Sequence, residues 1–245
     1  MTESRFIEKK VELPPMLIER AEASHPAEGF KTEAEWMRCV KEDFPKFIPF
    51  LTRRCELEFR GRILEIGAGG AWFSAELSKL PNVVEIITTD VSSRMLKVQA
   101  PKVFKALKAQ EAKITRMPAD FGKLDFPKNH FDAVVCADAL HRAVNVLRVL
   151  REVRRVLKPG GLFVAIREPV RPLMNPRSMA AILAKGGAIP AGYAVSEYRD
   201  FFEHAGLELE MKRVVLSRGV KYYFDKAVNG FTQARYAFVA TKAGR

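Results

Sequence analysis

This sequence predicts an α/β fold built on a doubly wound, mostly parallel sheet, and two observations carry that prediction. From residue 61 onward, short apolar runs alternate with amphipathic stretches, the rhythm of β-α units covered on both faces of one sheet. The chain is 245 residues long and 48% apolar. That excludes a disordered chain and suffices for a sizeable core in one large domain, or one with an appendage. Right-handed crossovers then give the doubly wound arrangement.

The elements follow in order. Residues 1–60 read as an N-terminal helical extension or lid. Pro14-Pro15 breaks the chain early. Thr32 before Glu33 and Glu35 is a helix start. Trp36, Met37, Val40, Phe44, Phe47, Ile48 and Leu51 recur at mostly three- and four-residue steps, cut by Pro45 and Pro49. These aromatics suit either core packing or a lid. Residues 61–245 form the main domain. Its strand candidates are Arg62–Ile66, Val83–Thr89, Ala112–Met117, Phe131–Ala137 and Leu162–Ile166. Helices are predicted near Ala71–Leu80, from about Ser92, and from Asn145 to Leu157. Lys158-Pro159-Gly160-Gly161 is a turn signal. Beyond a possible insertion at 168–195, Ser196–Ala205 reads as a helix ended by Gly206. Leu207–Leu216 and Tyr236–Thr241 read as strands, and 217–235 as neither. Neither an internal repeat nor a low-complexity tract is present.

Charge narrows the partners. Lys and Arg number 41 against 29 Asp and Glu, a net of +12. Residues 1–60 carry −1, residues 61–165 carry +7 and residues 166–245 carry +6. An anionic partner is one reading. Solvated helix faces are the other, since Arg148, Arg151 and Arg155 lie opposite Leu147, Leu150, Val153 and Leu157, and Lys102, Lys105 and Lys108 repeat every third residue. No apolar run approaches the ~20 residues of a membrane span. Met1–Arg5 leads into charged sequence rather than a signal-peptide core. Cys39, Cys55 and Cys136 are odd in number and widely spaced, so neither a disulfide framework nor a metal site is expected. The expectation is a soluble cytoplasmic protein of undetermined oligomeric state.

The chemistry centres on Ile63-Leu64-Glu65-Ile66-Gly67-Ala68-Gly69-Gly70-Ala71. A buried strand ends in a glycine-rich loop that feeds a helix. Glycine lets the main chain turn tightly and lets a ligand approach it, and in a doubly wound sheet ligands bind at the carboxyl ends of the strands. Glycine spacing alone is weak, and the third glycine of GxGxxG is absent. Three acids add specificity. Glu65 lies in the strand, able to order the loop or to accept from a ligand ammonium. Thr88-Thr89-Asp90-Val91-Ser92 places Asp90 at a strand end, where a carboxylate accepts from both hydroxyls of a ribose. Met117-Pro118-Ala119-Asp120-Phe121 ends the next strand in Asp120, which suits an exocyclic amine beside an apolar Phe121.

At these residues the sequence resembles the class I S-adenosylmethionine-dependent methyltransferases, in particular the ubiquinone/menaquinone-biosynthesis group. Asp125-Phe126-Pro127, Phe131-Asp132-Ala133-Val134-Val135 and Leu150–Gly161 follow that family's order. The resemblance covers roughly 61–167, and Glu197–Leu209 moderately. It implies a seven-stranded Rossmann-like sheet with one antiparallel strand near its edge. It implies that Gly67, Ala68 and Gly69 line the methionyl part of S-adenosylmethionine, supported by Glu65. Asp90 would bind the ribose, with Val91 against adenine. Asp120 would bind the adenine amine, flanked by Ala119 and Phe121, and Ala137 would lie near the sulfonium. Ala71 replaces the family's frequent third glycine.

Methyl transfer needs a general base only when the nucleophile keeps its proton near neutral pH. His141, after the fourth strand, is the candidate, ahead of His25, His130 and His204. Arg142, Arg167 and Arg171 either clamp an anionic acceptor or pair with Glu168 and helix ends. Met174, Met179, Ile182 and Leu183, on a loop stiffened by Pro169, Pro172 and Pro176, either roof an apolar pocket or pack in the core. The reading is a methyltransferase for a small-molecule acceptor, apolar or anionic, that releases S-adenosylhomocysteine and uses no metal. An RNA methyltransferase and a non-catalytic cofactor-binding protein are the alternatives.

Overall fold

The structure is a computed structural model that describes residues 3–23, 31–170, 192–214, 216 and 236–244. Its strands are β1 (Arg5–Phe6), β2 (Gly61–Glu65), β3 (Val83–Asp90), β4 (Ile114–Pro118), β5 (Phe131–Ala137), β6 (Leu157–Glu168), β7 (Glu208–Arg213) and β8 (Tyr236–Thr241). They form one sheet in the order β1-β4-β3-β2-β5-β6-β8-β7. Every pairing from β1 to β6 is parallel, and β8 runs antiparallel to both neighbours. The main helices are α1 (Pro15–Ala23), α2 (Glu33–Glu42), α3 (Trp72–Leu77), α4 (Ala100–Leu107), α5 (Val146–Val156) and α6 (Val195–Ala205).

The expected seven strands are eight, because Arg5–Phe6 adds an outer parallel strand to β4. A two-residue pairing leaves no hydrophobic alternation to read. Polar anchors hold it instead. Ser4 donates from its N–H (3.2 Å) and hydroxyl (2.9 Å) to Glu111 Oε2. The buried Arg116 guanidinium donates to Ser4 O (2.9 Å) and Leu96 O (2.6 Å). Residues 1–60 are therefore not wholly helical. The Lys158–Gly161 turn lies inside β6, where pairing steps from Phe131–Leu157 to Ala133–Leu162.

Strand alternation sorts the core into two layers. Ile63, Val135 and Val164 face one layer with α2, α3, α4 and the helical turns of Phe44–Arg54. Leu64, Val134 and Phe163 face the other, with α5 and α6. Trp36, Phe44 and Phe47 are buried in the first layer. The α5 stripe of Val146, Val149, Leu150, Val153 and Val156 is buried, and Asn145 caps the helix by accepting from Arg148 N–H (2.9 Å). Gly206 ends α6 in the left-handed conformation. From β2 the chain winds outward through β3 to β4, then returns beside β2 as β5. The carboxyl ends of β2, β3, β4 and β5 thus flank a topological switch point. Among the described residues, no helix is long and apolar enough to cross a membrane.

Candidate functional site

The loop between β2 and α3 takes its shape from three left-handed residues, Gly67 (φ +60°), Gly69 (φ +51°) and Ala71 (φ +57°). A Cβ on Gly67 would fall 2.7 Å from the Ala139 methyl, whereas one on Gly69 would meet nothing within 4 Å. Gly67 therefore serves close packing, and Gly69 opens onto free space. Ala71 adopts the strained conformation despite its Cβ, at a cost of about 1 kcal/mol, and its methyl is fully buried. Ala68 N–H donates to Thr89 O (2.9 Å), tying the loop to β3.

Asp90 completes that tie. Its Oδ2 accepts from Gly69 N–H and its Oδ1 from Ser92 N–H, both at 2.8 Å. Burial pushes its carboxyl pKa up. Ala119 N–H donates to Asp90 O (2.9 Å), bringing the end of β4 alongside. Asp120 accepts from Gly122 N–H (2.7 Å) and so shapes its own turn. Phe121 borders Gly67. Gly67, Gly69, Asp90, Val91, Ala119, Asp120, Phe121 and Ala137 are all half-buried at the ends of otherwise buried strands. The structure thus brings the predicted residues to one edge of the sheet.

Glu65 is placed differently. Its carboxyl is buried and bound by Ser74, whose N–H donates at 2.9 Å and whose hydroxyl also donates. Ser74 Oγ in turn lies 2.6 Å from Thr88 Oγ1. Glu65 holds the first turn of α3, and so the far side of the glycine loop. Burial pushes its pKa from 4.5 to about 8. The folded chain then retains a proton that the unfolded chain loses, so stability falls as pH rises from about 4.5 to 8 and levels off above. The slope is at most about 1.4 kcal/mol per pH unit. Glu65→Gln is expected to flatten that profile in urea unfolding at several pH values, gaining on the native chain at the alkaline end. Parallel profiles would show that Glu65 folds already ionised.

On the other side of the switch point, Glu168 ends β6 with its carboxylate buried. Oε1 accepts from Ala139 and Leu140 N–H, each at 2.9 Å. Oε2 accepts from His141 N–H (3.0 Å) and lies 2.8 Å from His141 Nδ1. A carboxylate only accepts, so the ring proton sits on Nδ1 and Nε2 is the basic nitrogen. Sequence reasoning offered Glu168 only as a partner for arginines. The signal was present, since an acid two residues beyond a buried apolar run, in step with the strand's alternation, has to find donors. Arg167 instead pairs with Asp138 (3.8 Å) and lies over the Phe44 ring (4.4 Å). Arg142 is exposed and close enough to Asp90 to influence its charge. His130 stacks edge-on against Phe131, and His204 Nδ1 lies 2.7 Å from Asp200 O. Arg171, Pro172, Met174, Pro176, Met179, Ile182, Leu183, His25 and residues 217–235 lie outside the described residues. Among the described residues, no cluster of three potential metal ligands occurs.

Fold and site together define a Rossmann-like domain whose glycine loop and strand-end acids gather at the topological switch point. Residues 64–165 match the family model of a methyltransferase domain. Among curated relatives, it is 30% identical over 154 residues to the ubiquinone/menaquinone biosynthesis C-methyltransferase UbiE of Pseudomonas aeruginosa (strain LESB58). That match covers 60% of this chain and 59% of the relative, so the chain spans less than two thirds of the relative's length. Two solved structures share the fold. One is an S-adenosylmethionine-dependent methyltransferase from Mesorhizobium loti, with a TM-score of 0.57 at 22% identity, covering 79% of this chain and 97% of that one. The other is Haemonchus contortus phosphoethanolamine N-methyltransferase 2 in complex with S-adenosyl-L-methionine, with a TM-score of 0.61 at 15% identity, covering 86% and 56%.

Proposed function

We propose that this chain transfers a methyl group from S-adenosylmethionine to a small-molecule acceptor and releases S-adenosylhomocysteine. The carrying observation is the convergence of Gly67–Gly69, Asp90 and Asp120 at the ends of β2, β3 and β4. These residues fit the cofactor. Asp90 uses one lone pair of each oxygen on a backbone N–H and has others for two vicinal hydroxyls. Gly69 lets a ligand approach the main chain. Asp120 is the acceptor for an adenine amine, with Val91, Ala119 and Phe121 as apolar neighbours. Ala137 borders the reacting end. No metal enters the reading. When bound, the cofactor supplies a methyl group already activated on a sulfonium.

The chain's own residues orient the acceptor and take its proton. Glu168 fixes the His141 ring and tautomer, leaving Nε2 as the base. That arrangement suits an acceptor whose nucleophile must lose a proton, such as a hydroxyl or an acidic carbon. The C-methylation named for the Pseudomonas relative agrees with this class. The reading is tested by titrating S-adenosylhomocysteine into the protein, then following labelled methyl from S-adenosylmethionine into a fractionated cell extract. Binding and label in the organic-soluble pool are expected. Absence of binding refutes the cofactor assignment, and label in RNA refutes the acceptor class.

We assign the lid to residues 3–23 rather than to all of 1–60, since Trp36, Phe44 and Phe47 are core. This strap spans both walls of the adenine end. Lys9 pairs with Asp125 (2.6 Å) and Glu12 with Lys123 (2.9 Å) beyond β4. Glu22 on α1 accepts from Ser92 Oγ (2.9 Å), Ser93 N–H (2.7 Å) and Arg94 N–H (3.2 Å) beyond β3. Glu22→Ala is expected to speed S-adenosylhomocysteine release about tenfold, the loss of about 1.4 kcal/mol of hydrogen bonding. Stopped-flow displacement measures it, and an unchanged release rate would remove the strap from the cofactor cycle. The free thiols Cys39, Cys55 and Cys136 suit the cytoplasm, the compartment we propose.

A further inference from the structure

Among the described residues, Lys9, Lys46, Lys97 and Lys158 each pair with an acid: Asp125, Asp43, Glu8 and Asp132. The outer face of α5 is built otherwise. Arg148 Nε donates to Gly122 O (2.7 Å) and Arg154 Nε to Gly206 O (3.0 Å). Lys242 Nζ donates to Leu157 O and Asn129 Oδ1, both at 2.6 Å. Neutral oxygens thus pin these side chains, and only Arg148 among these three is close enough to feel the charge of Glu152. Arg151 and Lys128 stand beside them. Among the described residues, none of the five has a carboxylate within ion-pair distance. The nearby acid Glu152 is fully engaged, by Arg155 Nε (2.9 Å), Arg155 Nη2 (2.8 Å) and Leu124 N–H (2.8 Å).

These cations line two adjoining cavities. One, of about 350 Å³, is bordered by Lys128, Arg151, Arg154 and Lys242. The other, of about 380 Å³, is bordered by Arg148, again Arg151, Lys123 and the engaged acid Glu152, so the first cavity is the more strongly cationic of the two. The Lys242 ammonium is disfavoured by burial and by the charges of Arg154 and Lys128, so the cluster repels itself until an anion enters. Arg148, Arg151 and Arg154 succeed one another at three-residue steps, with neighbouring Cβ atoms about 5–6 Å apart. Such a row matches a chain of anions rather than a single one. Neither lining contains an aromatic ring to stack on a base or an exposed apolar side chain to enter a bilayer.

We propose that the α5 face binds the phosphate backbone of single-stranded nucleic acid without regard to base sequence, through Arg148, Arg151, Arg154, Lys128 and Lys242. The Arg148 end of this face abuts Gly122, whose N–H donates to Asp120 of the proposed adenine site. Five phosphate contacts give a log–log salt slope of about −3.5, so affinity falls about 100-fold between about 50 and 200 mM salt. The test is fluorescence anisotropy of a labelled oligouridylate with the full chain. Arg151→Gln, which removes no intramolecular bond, is expected to weaken binding and to make the slope about 0.7 shallower. Lys46→Gln, on the other side of the sheet, is expected to change neither. Equal affinity and slope for Arg151→Gln and the native chain would overturn the proposal. So would retention of polyglutamate or of anionic vesicles with no binding of oligouridylate.

Discussion

Glu168→Ala is expected to lower the unfolding free energy by about 3–5 kcal/mol. The carboxylate is the acceptor for three consecutive backbone N–H groups, Ala139, Leu140 and His141. Each buried donor left without a partner costs about 1–3 kcal/mol, partly offset by relaxation and by water entering the gap. Urea unfolding measures the loss, and a value under about 1 kcal/mol would mean the segment finds other acceptors. Glu168→Gln is the milder change. Its amide oxygen still accepts from Ala139 and Leu140 N–H, while its amide nitrogen faces His141 and the negative charge beside the ring is gone. We expect kcat to fall at least tenfold with cofactor affinity unchanged, and His141→Gln to cost about 100-fold, the usual scale of general-base catalysis. Equal kcat for native protein and His141→Gln would leave Glu168 a purely structural acid and point to an acceptor that needs no base.

Asp90→Ala is expected to weaken S-adenosylhomocysteine binding at least 100-fold, about 2.7 kcal/mol. Two losses combine. The ribose loses its acceptor, and Gly69 and Ser92 lose the oxygens that hold their N–H groups. Asp90→Asn retains one acceptor oxygen and is expected to lose about tenfold, because a neutral amide is a weaker acceptor than a carboxylate. Calorimetric titration of both variants gives the comparison. Near-native affinity for Asp90→Ala would move the ribose site elsewhere.

What could be read from the sequence, and what could not, follows from distance along the chain. Gly67, Asp90 and Asp120 each stand at the end of a strand-like run, so strand and ligand-facing residue are visible in one short window. The α5 helix was equally plain, with its cap and buried stripe within a dozen residues. The His141–Glu168 pair was not, because it depends on the register of β5 against β6, with Ala137 opposite Ile166. No local pattern encodes that register. Glu65 showed its position but not its partner, since Ser74 reaches it only after the glycine loop has reversed the chain. β1 and the Glu22 contacts depend on pairings of 70 residues or more, in segments with hardly any apolar periodicity.

The edge strand also sets an order of assembly during synthesis. Ser4 leaves the ribosome 107 residues ahead of Glu111, the acid that holds it. Closing a loop of that length costs about 4 kcal/mol of chain entropy, and two residues of pairing cannot supply that until β4 is already in place. The strap is therefore early in translation and late in folding. A nascent chain can dock Glu22 once Ser92–Arg94 are made, but the Ser4 end of the strap and its ties to Lys123 and Asp125 wait for β4 and the residues after it.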